Sequence, residues 1–231
     1  MACCVAGAAW VPTMNNLKTA IKEIEAVVEP RWPVMVALLA AGGIYVAMPP
    51  AMALGGRWTL LVLVSVLLVP AMVTHRIGKH RLNMIIGLCI NGVVSFFELT
   101  SLVLLIRQLP DSATKPVLLL QSAVALWLTN VLVFSLWYWR LDGGGPRARH
   151  IHNPRGTGWF LFPQMLLPAQ AGEHWRPKYV DYLFLAFNTS TAFSPTDTAV
   201  LARPAKLLMM AQSLISVAIV ALVAARAVNI I

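Results

Sequence analysis

The sequence predicts an all-α integral membrane protein, a polytopic helical bundle of four long transmembrane helices plus a C-terminal short-helix/long-helix hairpin. Three observations carry that reading. Of the 231 residues, 58% are hydrophobic and only 12% are charged, where a soluble domain carries about 25% charge. The apolar residues fall into runs long enough to cross a hydrocarbon core of about 30 Å. The last quarter instead begins with a short apolar run that ends in a dense string of hydroxyls and amides.

Four stretches divide the chain: 1–32, an amino-terminal segment; 33–139, the four-helix bundle; 140–178, a basic loop expected in the cytoplasm; and 179–231, the terminal hairpin. Residues 1–13 lack the basic start of a signal peptide. The adjacent Cys3 and Cys4 can be read as an acylation site, and Met14 as an alternative native start. In 15–29, Leu17, Ile21, Ile24 and Val28 recur on one helical face, which predicts an amphipathic helix lying along the interface or docking on a partner. The first span, 33–54, has Trp32 at its mouth as an interfacial anchor. Gly42 and Gly43 permit close helix approach, and Pro49-Pro50 ends the run. The second span, 58–73, contains Pro70, and a basic loop follows it. The third is 83–106, in which Cys89 reads as a small packing residue. The fourth, 116–139, closes in the aromatic belt Trp137-Tyr138-Trp139. The piece 159–168 is apolar but broken by proline, and is expected to dip into the interface. The last helix, 205–231, is rich in Ala and Ser, which suits close helix packing, and Arg226 near its end is expected to snorkel to the headgroups.

The formal charge of +9 lies in loops between apolar runs, with no aromatic-interleaved basic face, so it does not point to nucleic acid. An N-inside topology places twelve lysines and arginines inside and three in the first and third loops outside, as the positive-inside rule prefers. No nucleophile-base set, phosphate loop or cofactor motif stands out, and no enzyme or cofactor is expected. His150, His152 and His174 form the one conceivable metal group, and a solvated basic loop explains them without a metal. The expected partners are the bilayer, further copies of the same chain and a monovalent cation.

Two groups of residues are candidates for function. Glu98 is the one acid well inside a span. It shares a helix face with Asn91, seven residues earlier, and with Ser95. An ionisable group at that depth reads as an ion or proton site, or as a protonated acid bonded to Thr129 or Asn130 of the fourth span. The second group is Asn188, Thr189, Ser190, Thr191, Ser194, Thr196 and Asp197, whose amides, hydroxyls and carboxylate could replace an ion's hydration shell. The same stretch reads equally as a polar helix cap and turn. The apolar piece before it, 180–193, is about 21 Å long as a helix. It is expected to cross, since a short span can thin the bilayer. A re-entrant half-helix is the alternative.

The order of short amphipathic helix, Thr189-Ser190-Thr191-Ala192-Phe193, then Asp197, then a long small-residue helix is similar to the pore module of tetrameric potassium channels. Ser194-Pro195-Thr196 stands where that family's filter has glycines. Over most of its length the chain also resembles an uncharacterised family of bacterial inner-membrane proteins, some of them described as channel-like. The resemblance is carried by L-D-G-G-G-P (141–146), F-L-F-P-Q (160–164), 181–198 and A-R-A-V-N-I (225–230). It implies residence in the bacterial inner membrane, with several spans. With the pore likeness, it implies an oligomeric cation pathway lined by the 188–197 stretch. A non-conducting membrane scaffold and a small-solute or proton transporter using Glu98 are the competing expectations.

Overall fold

The computed structural model describes residues 31–108, 116–146, 148–149, 158–167, 175–192, 194 and 197–228, with side chains to 225. The amphipathic segment 15–29, Cys3 and Cys4, the three loop histidines, Thr196 and the Arg226 side chain lie outside the described residues. The helices are α1 (Trp32–Ala47), α2 (Thr59–Arg76), α3 (His80–Gln108), α4 (Pro116–Leu141), α5 (Pro163–Leu166), α6 (Tyr179–Thr191) and α7 (Arg203–Val228). One two-stranded antiparallel ribbon pairs β1 (Phe160–Leu161) with β2 (Ala199–Val200). Four helices, α2, α3, α4 and α7, are long and apolar enough to cross a membrane, and α1 is a shorter apolar helix.

Local chemistry explains most boundaries. Pro33 occupies the first turn of α1, where its missing N–H costs nothing. Pro49-Pro50 ends that run and opens a single 3-10 turn. Pro70 stays inside α2, and the Thr74 hydroxyl one turn on donates to the Pro70 carbonyl at 2.7 Å. The α1–α2 contact is close because Gly42 has no side chain. A Cβ there would lie 3.1 Å from the Leu61 backbone.

Helices α1 to α4 alternate in direction. At one end, Asn83 at the start of α3 accepts from Arg31 just before α1 and donates to Ala71 O near the end of α2 at 2.6 Å. At the other end, Tyr45 donates to Leu54 O, and Gln108 reaches Ala51 O. Helix α4 comes back down beside α3, with Trp137 Nε1 donating to Ser95 Oγ at 2.9 Å. Twelve lysines and arginines have described side chains. Ten of them (Arg31, Arg76, Lys79, Arg81, Arg140, Arg149, Arg176, Lys178, Arg203 and Lys206) belong to the end where α1 begins, and only Arg57 and Arg107 to the other. We call these the basic end and the far end.

The outward surface is apolar. Val62, Val66, Ile85, Phe96, Leu207 and Leu214 are all exposed, as expected of helices whose solvent on that side is lipid rather than water. Cys89 is exposed too, so it faces out of the bundle and is not the packing residue expected from its apolar run. Within 159–167, Phe160 and Phe162 are buried in the core.

Candidate functional site

Helix α6 is held at its start by a buried carboxylate. Asp142 follows directly on α4, and the backbone turns there through Gly143, Gly144 and Gly145, all at positive φ, where a side chain would be strained. The Asp142 carboxylate accepts from the Tyr182 hydroxyl in the first turn of α6 and from the backbone N–H of Trp159 beside β1. Arg149 faces it at 3.6 Å, donates to the carbonyls of Trp139 and Asp142, and lies over the Tyr182 ring at 5.0 Å. A buried charge is tolerable when it is paired and hydrogen-bonded in this way. Gly158 is needed for the approach, because a Cβ there would meet the Asp142 carboxylate at 2.2 Å. Lys178 N–H donates to Asp181 at 2.7 Å, so Asp181 caps α6 and complements its dipole.

From this anchor α6 runs antiparallel to α4. Tyr179 meets Ser135 (2.8 Å) and the Trp139 ring, whereas Phe187 packs on Trp127, farther from the basic end. Helix α7 takes the same direction. Its start is held by β2, which pairs with β1, and Leu201 N donates to Trp159 O at 2.8 Å. Helices α6 and α7 therefore leave the basic end side by side and parallel. Helix α6 ends at Thr191, and by Ala199 the chain is again beside β1, before α7 begins. With 13 residues against 26, α6 rises about 20 Å beside an α7 of about 39 Å.

One side chain joins the three helices. Gln212 of α7 accepts from the Tyr138 hydroxyl of α4 at 2.5 Å. It donates to Ala186 O at 2.7 Å and to Ser190 Oγ at 2.8 Å, both in α6. Asn130 of α4 donates to Ser216 Oγ at 2.7 Å and to Gln212 O at 3.3 Å. Gln212, Asn130, Ser190 and Ser216 are essentially fully buried. The sequence reading missed Gln212, although a lone amide inside a long apolar helix was the available signal.

The predicted polar residues divide at the tip of α6. Ser190 joins the Gln212 network. Asn188 donates to Phe184 O, Thr189 to Leu185 O and Thr191 to Phe187 O, each one helical turn back. Thr189 is buried and Asn188 half-buried. Thr191, Ser194 and Asp197 are exposed, as is Ala192. The tip therefore presents the Thr191 hydroxyl outward from about halfway up α7, whereas Asp197 stands two residues before β2, toward the basic end.

Glu98 occupies a different place, the inward face of α3. It is 3% exposed, and Asn91, Ser101, Val94 and Leu105 are buried with it. The bonding partners expected for it are committed elsewhere: Thr129 donates to Ala125 O, and Asn130 to the α7 groups above. Glu98 Oε1 and both side-chain polar atoms of Asn91 are buried without a hydrogen-bond partner among the described residues. Ser95 bonds neither of those side chains: its hydroxyl donates to the Asn91 backbone carbonyl and accepts from Trp137 Nε1. The described residues contain no group of three or more metal-ligating His, Cys, Asp or Glu side chains.

The chain matches no family model, no curated protein and no solved structure.

Proposed function

We propose that this chain is a channel-like membrane protein in which α6 is a re-entrant half-helix entering from the basic, N-inside face. Copies assemble around the α6 tips, and the 188–197 stretch lines a pathway for a monovalent cation. One observation carries the reading: α6 and α7 start together at the basic end, and the shorter helix stops midway with Thr191 facing out, ahead of the exposed Ser194 and Asp197 on the returning chain. Polar groups at mid-membrane depth cannot face lipid, so they require protein or water over them. A ring of such groups around an axis is a cation-selective arrangement. The charge distribution favours the same topology. Re-entry keeps Arg203 and Lys206 on the basic side, whereas a crossing segment would carry them outside against the positive-inside rule. Helix α7 leaves Leu207, Met210, Leu214, Val217 and Val220 exposed, which supplies an apolar face for further copies or lipid.

Two measurements test this. Single cysteines replacing Lys178 and Lys206 in a Cys-free background should label from the same side of the membrane. Labelling from opposite sides would eliminate re-entry. Purified protein in liposomes should then pass a monovalent cation, and Asp197→Ala or Thr191→Ala should abolish the flux. An intact oligomer that passes no cation under any gradient would leave the scaffold reading in place.

The buried acid supports a second reading, a proton- or cation-coupled transporter using Glu98 and Asn91. Unpartnered polar atoms inside a membrane bundle are costly and mark ion paths by default. That reading requires Glu98→Gln alone to stop transport while the tip variants still work.

A further inference from the structure

The basic end contains a cavity of about 380 Å³ between α1, α3 and α4. It is lined by Arg31, His80, Arg81 and Arg140, with Met84 and Trp139 as apolar wall. Arg140 is the unusual member. It is 7% exposed, and its Nε is buried with no hydrogen-bond partner among the described residues. Burying a cation without an anion is expensive. The nearest acid in sequence, Asp142, is occupied by Arg149, Tyr182 and the Trp159 amide. Arg140 is nevertheless held in place. Its guanidinium stacks on Trp139 at 5.6 Å and lies against α3 where Gly87 leaves room. A Cβ at Gly87 would sit 1.7 Å from Arg140 Nη1.

The same cavity receives the start of α3. His80 and Arg81 open that helix, so the partial positive charge of a helix N-terminus adds to the guanidinium charge in the cavity wall. Arg31 brings a second guanidinium to the rim and is steadied there by Asn83. Arg81 and Gly144 are exposed lining residues, so the cavity opens to the surface, and the Tyr138 and Trp139 expected in an interfacial belt are instead buried in the core beside it. Guanidinium forks match phosphate oxygens in pairs, which an ammonium cannot do.

We propose that this cavity binds a phosphate-bearing anion, with Arg140 as the buried anchor and Arg31, Arg81 and the α3 N-terminus as the surrounding donors. The group can arrive on an anionic phospholipid of the basic-side leaflet or as a soluble phosphate, and both chemistries fit basic pockets of this kind.

The test uses the full chain purified in a non-ionic detergent, with thermal unfolding and native mass spectrometry as readouts. Short-chain phosphatidic acid, short-chain phosphatidylcholine and inorganic phosphate are added separately. Phosphatidic acid should bind and raise the unfolding temperature, and phosphatidylcholine should do neither. Arg140→Gln should weaken phosphatidic acid binding by at least about tenfold, and Arg140→Lys by less. Arg81→Gln, an exposed change that leaves the packing intact, should also weaken it. Binding of phosphatidic acid alone identifies a lipid headgroup site, and equal binding of inorganic phosphate identifies a soluble ligand. If phosphatidylcholine binds as well as phosphatidic acid, or if Arg81→Gln and Arg140→Lys both leave the affinity unchanged, the proposal is wrong.

Discussion

Gln212→Leu isolates the contact on which the placement of α6 depends. Leucine nearly preserves the volume and suits an apolar helix, so helix propensity and packing change little. What disappears is the set of three side-chain bonds from Gln212 to Tyr138, Ala186 and Ser190. Interhelical hydrogen bonds in membrane bundles average about 0.6 kcal/mol and reach about 1.7. Three of them give about 2 kcal/mol on average, with a ceiling near 5. The upper part of that range is expected, because the Tyr138 hydroxyl would be left buried with no acceptor. Unfolding in mixed micelles, titrated with a denaturing detergent and followed by tryptophan fluorescence, reads the loss directly. Tyr138→Phe removes one of the three bonds, and a double-mutant cycle with Gln212→Leu should show coupling of about 0.5 kcal/mol or more. Cation flux should fall together with stability, since α6 loses its tie to α7. A Gln212→Leu protein within about 0.5 kcal/mol of the parent, with additive effects in the cycle, would refute the claim that this amide fastens α6.

The remaining predictions concern other buried groups. Asp142→Ala strands Arg149, Tyr182 and the Trp159 amide, and should cost about 3–5 kcal/mol in the same titration; Asp142→Asn, which still accepts hydrogen bonds, should cost less. Gly87→Val drives a side chain into the Arg140 guanidinium and should destabilise by about 1–3 kcal/mol, whereas Gly92→Val, where no neighbour lies within 4 Å, should be nearly neutral on that measure. Glu98→Leu removes an unpartnered buried carboxyl and should leave stability unchanged or raise it by about 1–3 kcal/mol; a large loss would mean that Glu98 holds the bundle together through a bond.

Much of the bundle was legible in the chain because its determinants are local. An apolar run of sufficient length in a low-charge sequence leaves few alternatives to a spanning helix. The four bundle spans and the last helix match α1 to α4 and α7 to within a few residues, apart from the first, where α1 stops at Ala47, just before Pro49-Pro50. The basic character of one end was equally readable, since charges are confined to loops by the cost of placing them in hydrocarbon. The polar stretch 188–197 could be located but not interpreted. Its hydroxyls can bond their own helix or face outward, and both occur: Thr189 is buried on Leu185 O, and Ser194 is exposed.

Three features appear only once the helices are packed. The direction of α6 relative to α7 depends on pairing Phe160 with Val200, forty residues apart, and no periodicity encodes that registration. The Gln212 network joins residues up to 86 positions apart, and an amide in an apolar run shows no sign of which neighbours it will meet. Arg140 looked like the first residue of a solvated loop, yet the space beside Gly87 draws it into the bundle. Membrane residence and helix length follow from the free energy of moving each residue between water and hydrocarbon, which composition alone determines. Which polar groups pair, and which remain buried without a partner, follows from the distances between helices, and those exist only in the folded chain.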